Sequence, residues 1–534
     1  MCTSTRGEPA DESQLADARP VTPVTPGRFL FVMRHAGYTF YYESTIRALA
    51  ERGHSVHVVY TPRKASAQLD RLVAAFPGQV TRERLPRRRG DQGMMGRREL
   101  RAYRDYLRYF DPRFEKAAHL RRRREESLPA WVVARVRQYH RHRATGLVAR
   151  ALAAVEEATP VVEWIRAFIA AQKPSAVLVT PLVNIGSDQV DFVRAAQSLG
   201  IPTGACIASW DNLTNKGVMR IVPERVFVWN ETQKQEAIDL HGVPGGRVVV
   251  TGAQNFDHWF SWQPSTTREE YCRRWHLDPA RPIVLFLGST QGIAPTEPEF
   301  VPRWIAGIRA SSHQALAGAN ILVRPHPKQV PLWSATDGTF PSGPGTTLAL
   351  GDAPENEDSR SAFFDALYHS RAVVGVNTSA QIEAGIAGRP VYTLLAPEFE
   401  ETQQGTLHFH HLVNVNGGLL TQAASVEDHL AQLAEAVATP LPADVGRKFV
   451  EAFVRPFGLD QPGTPRLVAG IEALAHARPG PLPAPEARAA RFLAAYMAWW
   501  EAGPIEAEQM RVLRRRSVLD APEVPPRPPD PVPS

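Results

Sequence analysis

Arg324-Pro325-His326-Pro327 sets a single imidazole between two rigid prolines and beside an arginine. A histidine held in this way can donate to a phosphate oxygen or protonate a departing one. About fifty residues on, Asn377-Thr378-Ser379 precedes Ala380-Gln381-Ile382-Glu383-Ala384, a short helical stretch that Gly388 stops. The free amides at such a helix start, its dipole and the Thr378 and Ser379 hydroxyls suit a nucleotide diphosphate, with Glu383 one turn further in, within reach of a ribose hydroxyl. A third segment, Gly288-Ser289-Thr290-Gln291-Gly292, is a flexible turn where backbone can approach a ligand closely. Each segment has an ordinary reading of its own: a capped helix, an arginine paired with a carboxylate, a plain turn. Three of them in order, each after an apolar run, are hard to explain as packing.

Those apolar runs are the elements that must position the chemistry. Pro282 to Leu287, Ala319 to Val323 and Ala372 to Val376 read as buried parallel strands, so the three loops should meet at the carboxyl edge of one sheet. The first half of the chain repeats the pattern. Arg28 to Met33, a helix over Tyr41 to Glu51, Gly53 as its stop and Ser55 to Tyr60 form a Rossmann-like unit without a G-x-G-x-x-G turn, which disfavours a bound dinucleotide. Strands at Ala176 to Thr180, Thr203 to Ala208, Arg225 to Trp229 and Arg247 to Thr251 alternate with helices and imply a second parallel sheet. Its carboxyl-edge loops carry His35 and the run Ser209 to Gly217, which holds Asp211 and Lys216. Asp211 and His35 are the candidates for a base that takes the proton of an acceptor hydroxyl, each with a bland alternative in a turn or backbone hydrogen bond.

The order of a Gly-Ser-Thr loop, Arg-Pro-His-Pro and Asn-Thr-Ser-Ala-x-Ile-Glu-Ala resembles the donor half of GT-B glycosyltransferases. The likeness is greatest to bacterial CDP-glycerol glycerophosphotransferases and capsule or surface polysaccharide enzymes. The His-Pro and hydroxyl pairs are also similar to the nucleotide-binding elements of bacterial polysialyltransferases. The resemblance implies two Rossmann-like α/β domains facing across a cleft, with C-terminal helices that pack back over the junction. It also implies that His326, Thr378 and Ser379 hold donor phosphates. The expected donor-binding set is Ser289, Thr290, Arg324, His326, Asn377, Thr378, Ser379 and Glu383, and the expected catalytic set Asp211, His35 and His326. A more distant likeness is to nonhydrolysing UDP-N-acetylglucosamine 2-epimerases, whose phosphate turn carries glycines where this chain has Thr378 and Ala380. The expected activity is transfer of a sugar or polyol phosphate from a nucleotide-sugar or CDP-polyol donor to a glycan or lipid-linked acceptor. The alternatives are 2-epimerisation and non-catalytic glycan or anion binding on the same fold.

A chain of 534 residues, 43% hydrophobic and 22% charged, fits two soluble domains. The expected boundaries are 28–257 and 258–445, followed by helices over 446–520, with polar 1–27 and proline-rich 521–534 lacking the apolar surface to order. Without a membrane-length apolar run, a signal-like start or a cysteine framework, a cytoplasmic protein is expected, with no cofactor besides its nucleotide-activated substrate. No metal site is expected: His408 and His410 alternate without a supporting carboxylate or cysteine, and no Asp-x-Asp occurs. The segment 82–143 carries twenty Lys or Arg against eight Asp or Glu, while the whole chain is only +6. Leu100, Tyr103, Leu107 and Phe110 recur at helical spacing there, so an amphipathic helix with a basic outer face is expected, continued by Arg121 to Arg124. Such a face suits an anionic membrane surface or acceptor. No nucleic-acid signature accompanies it.

Overall fold

The computed structural model describes residues 25–479 apart from 62–64, 86–93, 142, 335–339 and 442–443. The segment 1–24, the helix expected over Glu486 to Glu501 and the proline-rich tail lie outside the described residues.

Two parallel sheets dominate. The first comprises β1 (Arg28–Met33), β2 (Ser55–Tyr60), β3 (Val80–Arg84), β4 (Ala176–Thr180), β5 (Thr203–Cys206), β6 (Arg225–Val228) and β7 (Val248–Val250), in the order β3-β2-β1-β4-β5-β6-β7. The second comprises β8 (Ile283–Leu287), β9 (Asn320–Arg324), β10 (Thr346–Leu348), β11 (Ala372–Gly375), β12 (Val391–Leu394) and β13 (Leu420–Ala423), in the order β10-β9-β8-β11-β12-β13. Every pairing is parallel. Helices cover both faces of each sheet, which is why central strands such as Ile283–Leu287 are apolar throughout and wholly buried. This is the doubly wound topology twice over, the two-sheet α/β architecture that the resemblance implied. In each sheet the winding reverses beside the first strand, between β1 and β4 and between β8 and β11, where the carboxyl ends splay into a crevice.

The connector runs through a 3-10 segment, Gln254–Phe260, and the Arg268–Arg274 helix. The Gly463–Ala475 helix then returns to the first domain. Its Leu467, Val468, Ile471 and Leu474 enter the core formed by Phe29, Phe31, Leu178 and Phe227, and Glu472 accepts two bonds from Arg52, at 2.7 and 3.0 Å. Asp257 of the connector accepts the Gly463 and Thr464 amides at 2.9 and 2.8 Å and so fixes the start of that helix. This helix packs back onto the first domain and completes its core.

The charged insert differs most from expectation. Arg82 and Arg84 belong to edge strand β3, and helices follow at Met94–Arg108, Ala118–Glu125, Ala130–Arg141 and Thr145–Glu157. In Met94–Arg108 the arginine face points inward. Arg101, 0% exposed, pairs with Glu156 at 3.0 Å and Asp191 at 2.6 Å, Arg98 pairs with Asp188 at 2.7 Å, and Arg104 pairs with Glu156. Asp105 on the same helix pairs with Arg220. The expected basic outer face of this helix is therefore absent, because acidic partners 50 to 90 positions downstream neutralise it. Of Arg121 to Arg124, Arg121 lies over the Phe110 ring, Arg122 pairs with Glu401 of the second domain, Arg123 is exposed and Arg124 is buried. Among the described residues, no helix is long and apolar enough to cross a membrane.

Candidate functional site

The three expected loops follow β8, β9 and β11 and lock together at the switch point of the second sheet. Gly288 lies directly against the next loop: a Cβ there would sit 2.7 Å from the His326 nitrogen and 2.9 Å from the Pro325 Cα, so only glycine fits. Gln329 donates to the Ser289 carbonyl at 2.7 Å, and the Asn377 amide donates to Ser289 Oγ at 3.3 Å. The Ser289 amide in turn donates to the Glu297 carboxyl at 2.9 Å. Burial raises the Glu297 carboxyl to about 8, against the pull of its bonds from Ser289.

This arrangement corrects two expected donor contacts. Ser289 is 0% exposed with its hydroxyl engaged, and Asn377 turns its side-chain amide to the Thr402 carbonyl at 2.9 Å and to Thr406 and His408 at 3.4 Å. Both brace the loops and neither presents its side chain to a ligand. Thr290 is half-buried, and its carbonyl accepts the Ile293 and Ala294 amides.

His326 accepts the Lys328 amide through Nδ1 at 3.1 Å, which leaves the proton of the neutral ring on Nε2. Burial, aided by Lys328, pushes its ionisation down to about 4. At neutral pH, without a ligand, it is thus an uncharged hydrogen-bond donor. The Ala380–Ile386 helix is not capped by Asn377, Thr378 or Ser379. Gln381 does that work, accepting the Thr378 amide at 3.1 Å and donating to the Gly375 carbonyl at 3.0 Å. The Ser379 and Ala380 amides have no acceptor among the described residues, and the Ser379 side chain is exposed.

Glu383 is buried. Its Oε1 accepts the Trp259 indole N–H at 3.1 Å, and burial raises the carboxyl to about 8, only partly offset by that bond and by Arg324. Arg324 is itself nearly buried, with its guanidinium 5.3 Å above the Phe363 ring and 3.5 Å from the Asp352 carbonyl. Trp259 comes from the connector, so the donor loops are tied to the segment that joins the domains.

The facing wall is built on β1, β4 and β5. His35 follows β1, half-buried with its ring 4.9 Å from Tyr38 in an edge contact. Arg34 donates to Asn184 Oδ1 at 3.0 Å, and the Tyr38 hydroxyl sits beside both. Asp211, its side chain 20% exposed, accepts from Asn212 at 3.1 Å and Asn215 at 2.6 Å and faces Lys216 at 3.6 Å. Burial opposes its charge, but Lys216, His408 and the bonds from Ser209 and Asn215 outweigh that and hold the carboxyl far below the usual carboxylate range.

Asp211 meets the second domain. Thr214 Oγ1 and His408 Nδ1 are 3.3 Å apart, and Trp210 contacts the His408 ring edge-on at 4.8 Å. His408 is buried and its ionisation is pushed down to about 3, so at neutral pH it is an uncharged bridge between the walls.

The Asp211 loop is fastened to the insert. Arg108 donates to the carbonyls of Lys216 at 2.9 Å, Gly217 at 2.8 Å and Leu213, and Tyr109 donates to the Lys216 carbonyl at 2.8 Å. Asp105 accepts the Val218 amide at 2.8 Å, and a Cβ at Gly217 would overlap its carboxylate.

Sequence reading missed Arg34, Tyr38, Tyr41, Asn184 and Trp259. Only the first three carried a signal, their closeness to the end of β1. Among the described residues, no group of three or more His, Cys, Asp or Glu side chains could hold a metal ion.

No protein-family model matches the chain, and no curated protein matches it by sequence. Solved structures resemble it in shape. UDP-GlcNAc 2-epimerase from Methanocaldococcus jannaschii, in complex with UDP-GlcNAc and UDP, is 13% identical at a TM-score of 0.45, over 84% of this chain and 99% of that one. A glycosyltransferase from Rickettsia africae is 10% identical at 0.49, over 84% and 98%. WaaG, a glycosyltransferase involved in lipopolysaccharide biosynthesis, is 11% identical at 0.42, over 84% and 99%.

Proposed function

We propose that this chain is a GT-B-type transferase. It moves a sugar or polyol phosphate from a nucleotide-activated donor to a hydroxyl acceptor in surface polysaccharide or glycolipid synthesis. The observation that carries this reading is the pairing of two open amides, at Ser379 and Ala380, with the neutral His326 ring at the switch point of the second sheet, opposite a wall that bears Asp211, Lys216 and His35.

The donor's diphosphate takes hydrogen bonds from the Ser379 and Ala380 amides, the Thr378 and Ser379 hydroxyls and His326 Nε2, with Arg324 adding positive field. Glu383 takes the ribose. As the bond to the donor breaks, these groups stabilise the charge gathering on the leaving phosphate, so transfer proceeds without an obligatory divalent metal. On the facing wall a carboxylate as acidic as Asp211 is a weak proton acceptor. We therefore assign the acceptor proton to His35 and the orientation of the acceptor hydroxyl to Asp211. The reaction is placed in the cytoplasm. With a lipid-linked acceptor it takes place at the inner membrane face, met by the exposed Arg135, Arg137, Arg141 and Arg150 of the insert helices.

The test is a screen of nucleotide-activated donors by thermal shift, with products analysed by mass spectrometry. Donor-dependent transfer, insensitive to EDTA and lost in His35→Ala with donor binding kept, is the expected result. Interconversion of a free nucleotide sugar without an acceptor would instead establish the epimerase alternative.

A further inference from the structure

The Trp259 indole finds its hydrogen-bond partner in a carboxyl. It stands on the 3-10 segment Gln254–Phe260, 3% exposed, parallel to the Phe364 ring with centroids 5.9 Å apart and edge-on to Phe363 and Trp262. A buried indole N–H needs an acceptor, and any backbone carbonyl would serve. It donates instead to Glu383 Oε1 at 3.1 Å, on a side chain whose own burial is unfavourable. Core packing gives no reason to bury an acid here. Glu383 makes no other hydrogen bond among the described residues, so Oε2 is the oxygen left for a ligand.

The indole is held from the side of the first domain. Asp257, on the same 3-10 segment, accepts the Gly463 and Thr464 amides and the Thr464 hydroxyl, and Gln254 donates to the Tyr41 carbonyl at 3.1 Å. Both anchors lie on helices packed into the first domain's core. Glu383, by contrast, stands on the Ala380–Ile386 helix of the second domain. One hydrogen bond therefore ties a carboxyl oxygen of the nucleotide helix to the segment that joins the domains. A glutamate side chain with one oxygen tied no longer samples its rotamers freely and presents the other oxygen in one direction. A site built to hydrogen-bond a hydroxyl rejects the analogue that lacks it.

We propose that Trp259 is a positioning residue for recognition of the nucleotide's sugar: by holding Glu383 Oε1 it aims Oε2 at the ribose hydroxyls and so sets a preference for ribonucleotides over deoxyribonucleotides. This rests on the reading that Glu383 meets the donor's ribose. It does not depend on whether transfer or epimerisation follows.

The experiment is calorimetric titration of the full chain with ADP, CDP, GDP and UDP, each beside its 2′-deoxy and 3′-deoxy forms, for wild type, Trp259→Phe, Glu383→Ala and the double variant. Phenylalanine keeps a ring in place and removes the N–H. Wild type is expected to bind one ribonucleotide about tenfold tighter than a deoxy form, and Trp259→Phe should lower that ratio about threefold or more by weakening the ribo form and not the deoxy form. In the Glu383→Ala background the same change should leave the ratio where it is, because the two residues act as one unit. A purely structural role would weaken both forms alike. Equal loss for ribo and deoxy forms, an unchanged ratio, or as large a fall in the ratio without Glu383 would overturn the proposal and leave the donor reading standing. A wild type that binds no diphosphate of the panel, or binds ribo and deoxy forms alike, would remove the ribose role of Glu383 and the proposal with it. Should Trp259→Phe fail to fold, the wild type gives a second reading: among its 11 tryptophan indole N–H signals, the one that Glu383→Ala displaces is expected to move further with the ribo form than with the deoxy form. Equal movement, or no indole signal displaced by Glu383→Ala, would overturn the proposal.

Discussion

With its Nδ1 engaged by the Lys328 amide and its ionisation pushed down to about 4, His326 enters neutral solution as an uncharged ring that can only donate through Nε2. In histidine-labelled protein without ligand, its ring signals, assigned by loss in His326→Gln, should titrate near pH 4 and stay flat between pH 6 and 8. A transition near 6.5 would contradict this. Glu297 offers a sharper thermodynamic test, since its carboxyl is wholly buried and raised from 4.5 to about 8. Between those values the folded chain keeps a proton that the unfolded chain has released. The contribution of Glu297 to stability is therefore greatest below about 4.5, falls as pH rises through the window and is level above it. Relative to Glu297→Gln, wild type should lose on the order of 1 kcal/mol per pH unit between pH 5 and 8 in urea unfolding. Equal slopes would show that the carboxyl titrates normally. That His326, Thr378, Ser379 and Glu383 stand just beyond strand ends of the second sheet was legible in the sequence, because the apolar runs before them mark those strands. That Ser289 and Asn377 turn their side chains into the loops was not, because it depends on Glu297 and on Thr402, Thr406 and His408, which only the fold brings near.

Among the elements, the Met94–Arg108 helix decides whether Asp211 is in place. Arg108, Tyr109 and Asp105 hold four backbone groups of the Leu213 to Val218 stretch, and the helix passes so close that Gly217 admits no side chain. Asp105 cannot retreat, being fully buried and paired with Arg220. Gly217→Ala should cost about 1–3 kcal/mol by overpacking, measured by chemical denaturation. On the transferase reading it should, in the folded fraction, reduce turnover far more than nucleotide binding, because that reading puts acceptor groups on the displaced loop. Unchanged turnover would detach the insert from the site. Helical spacing predicted this helix, and its apolar residues Leu100 and Leu107 are buried as expected. Its arginines misled, since a row of like charges reads as a solvated face until Glu156, Asp188 and Asp191 fold against it.

At the scale of the whole molecule, the Gly463–Ala475 helix makes the first domain depend on the end of the chain. Ile471 is fully buried against the first sheet, so Ile471→Ala should cost about 2–5 kcal/mol in urea unfolding, while a surface site would change little. Alternating strands and helices made both sheets readable in advance, down to the bounds of Arg28–Met33 and Ser55–Tyr60. The edge strands Thr346–Leu348 and Leu420–Ala423 were not, because TTL and LTQA are partly exposed and mostly polar and so lack the apolar run that marked the others. Nor could local pattern say that the last described helix belongs to the first domain, since that contact spans more than four hundred positions. The transferase reading requires a nucleoside diphosphate on the second sheet, beneath the acceptor groups of the first. The most direct measurement is a crystal structure with the nucleoside diphosphate that most raises the melting temperature in a panel of bases. Its terminal phosphate should accept from the Ser379 and Ala380 amides and from His326 Nε2, with the ribose at Glu383. A diphosphate bound away from these groups, or no nucleotide in the cleft at saturating concentration, would contradict the transferase reading.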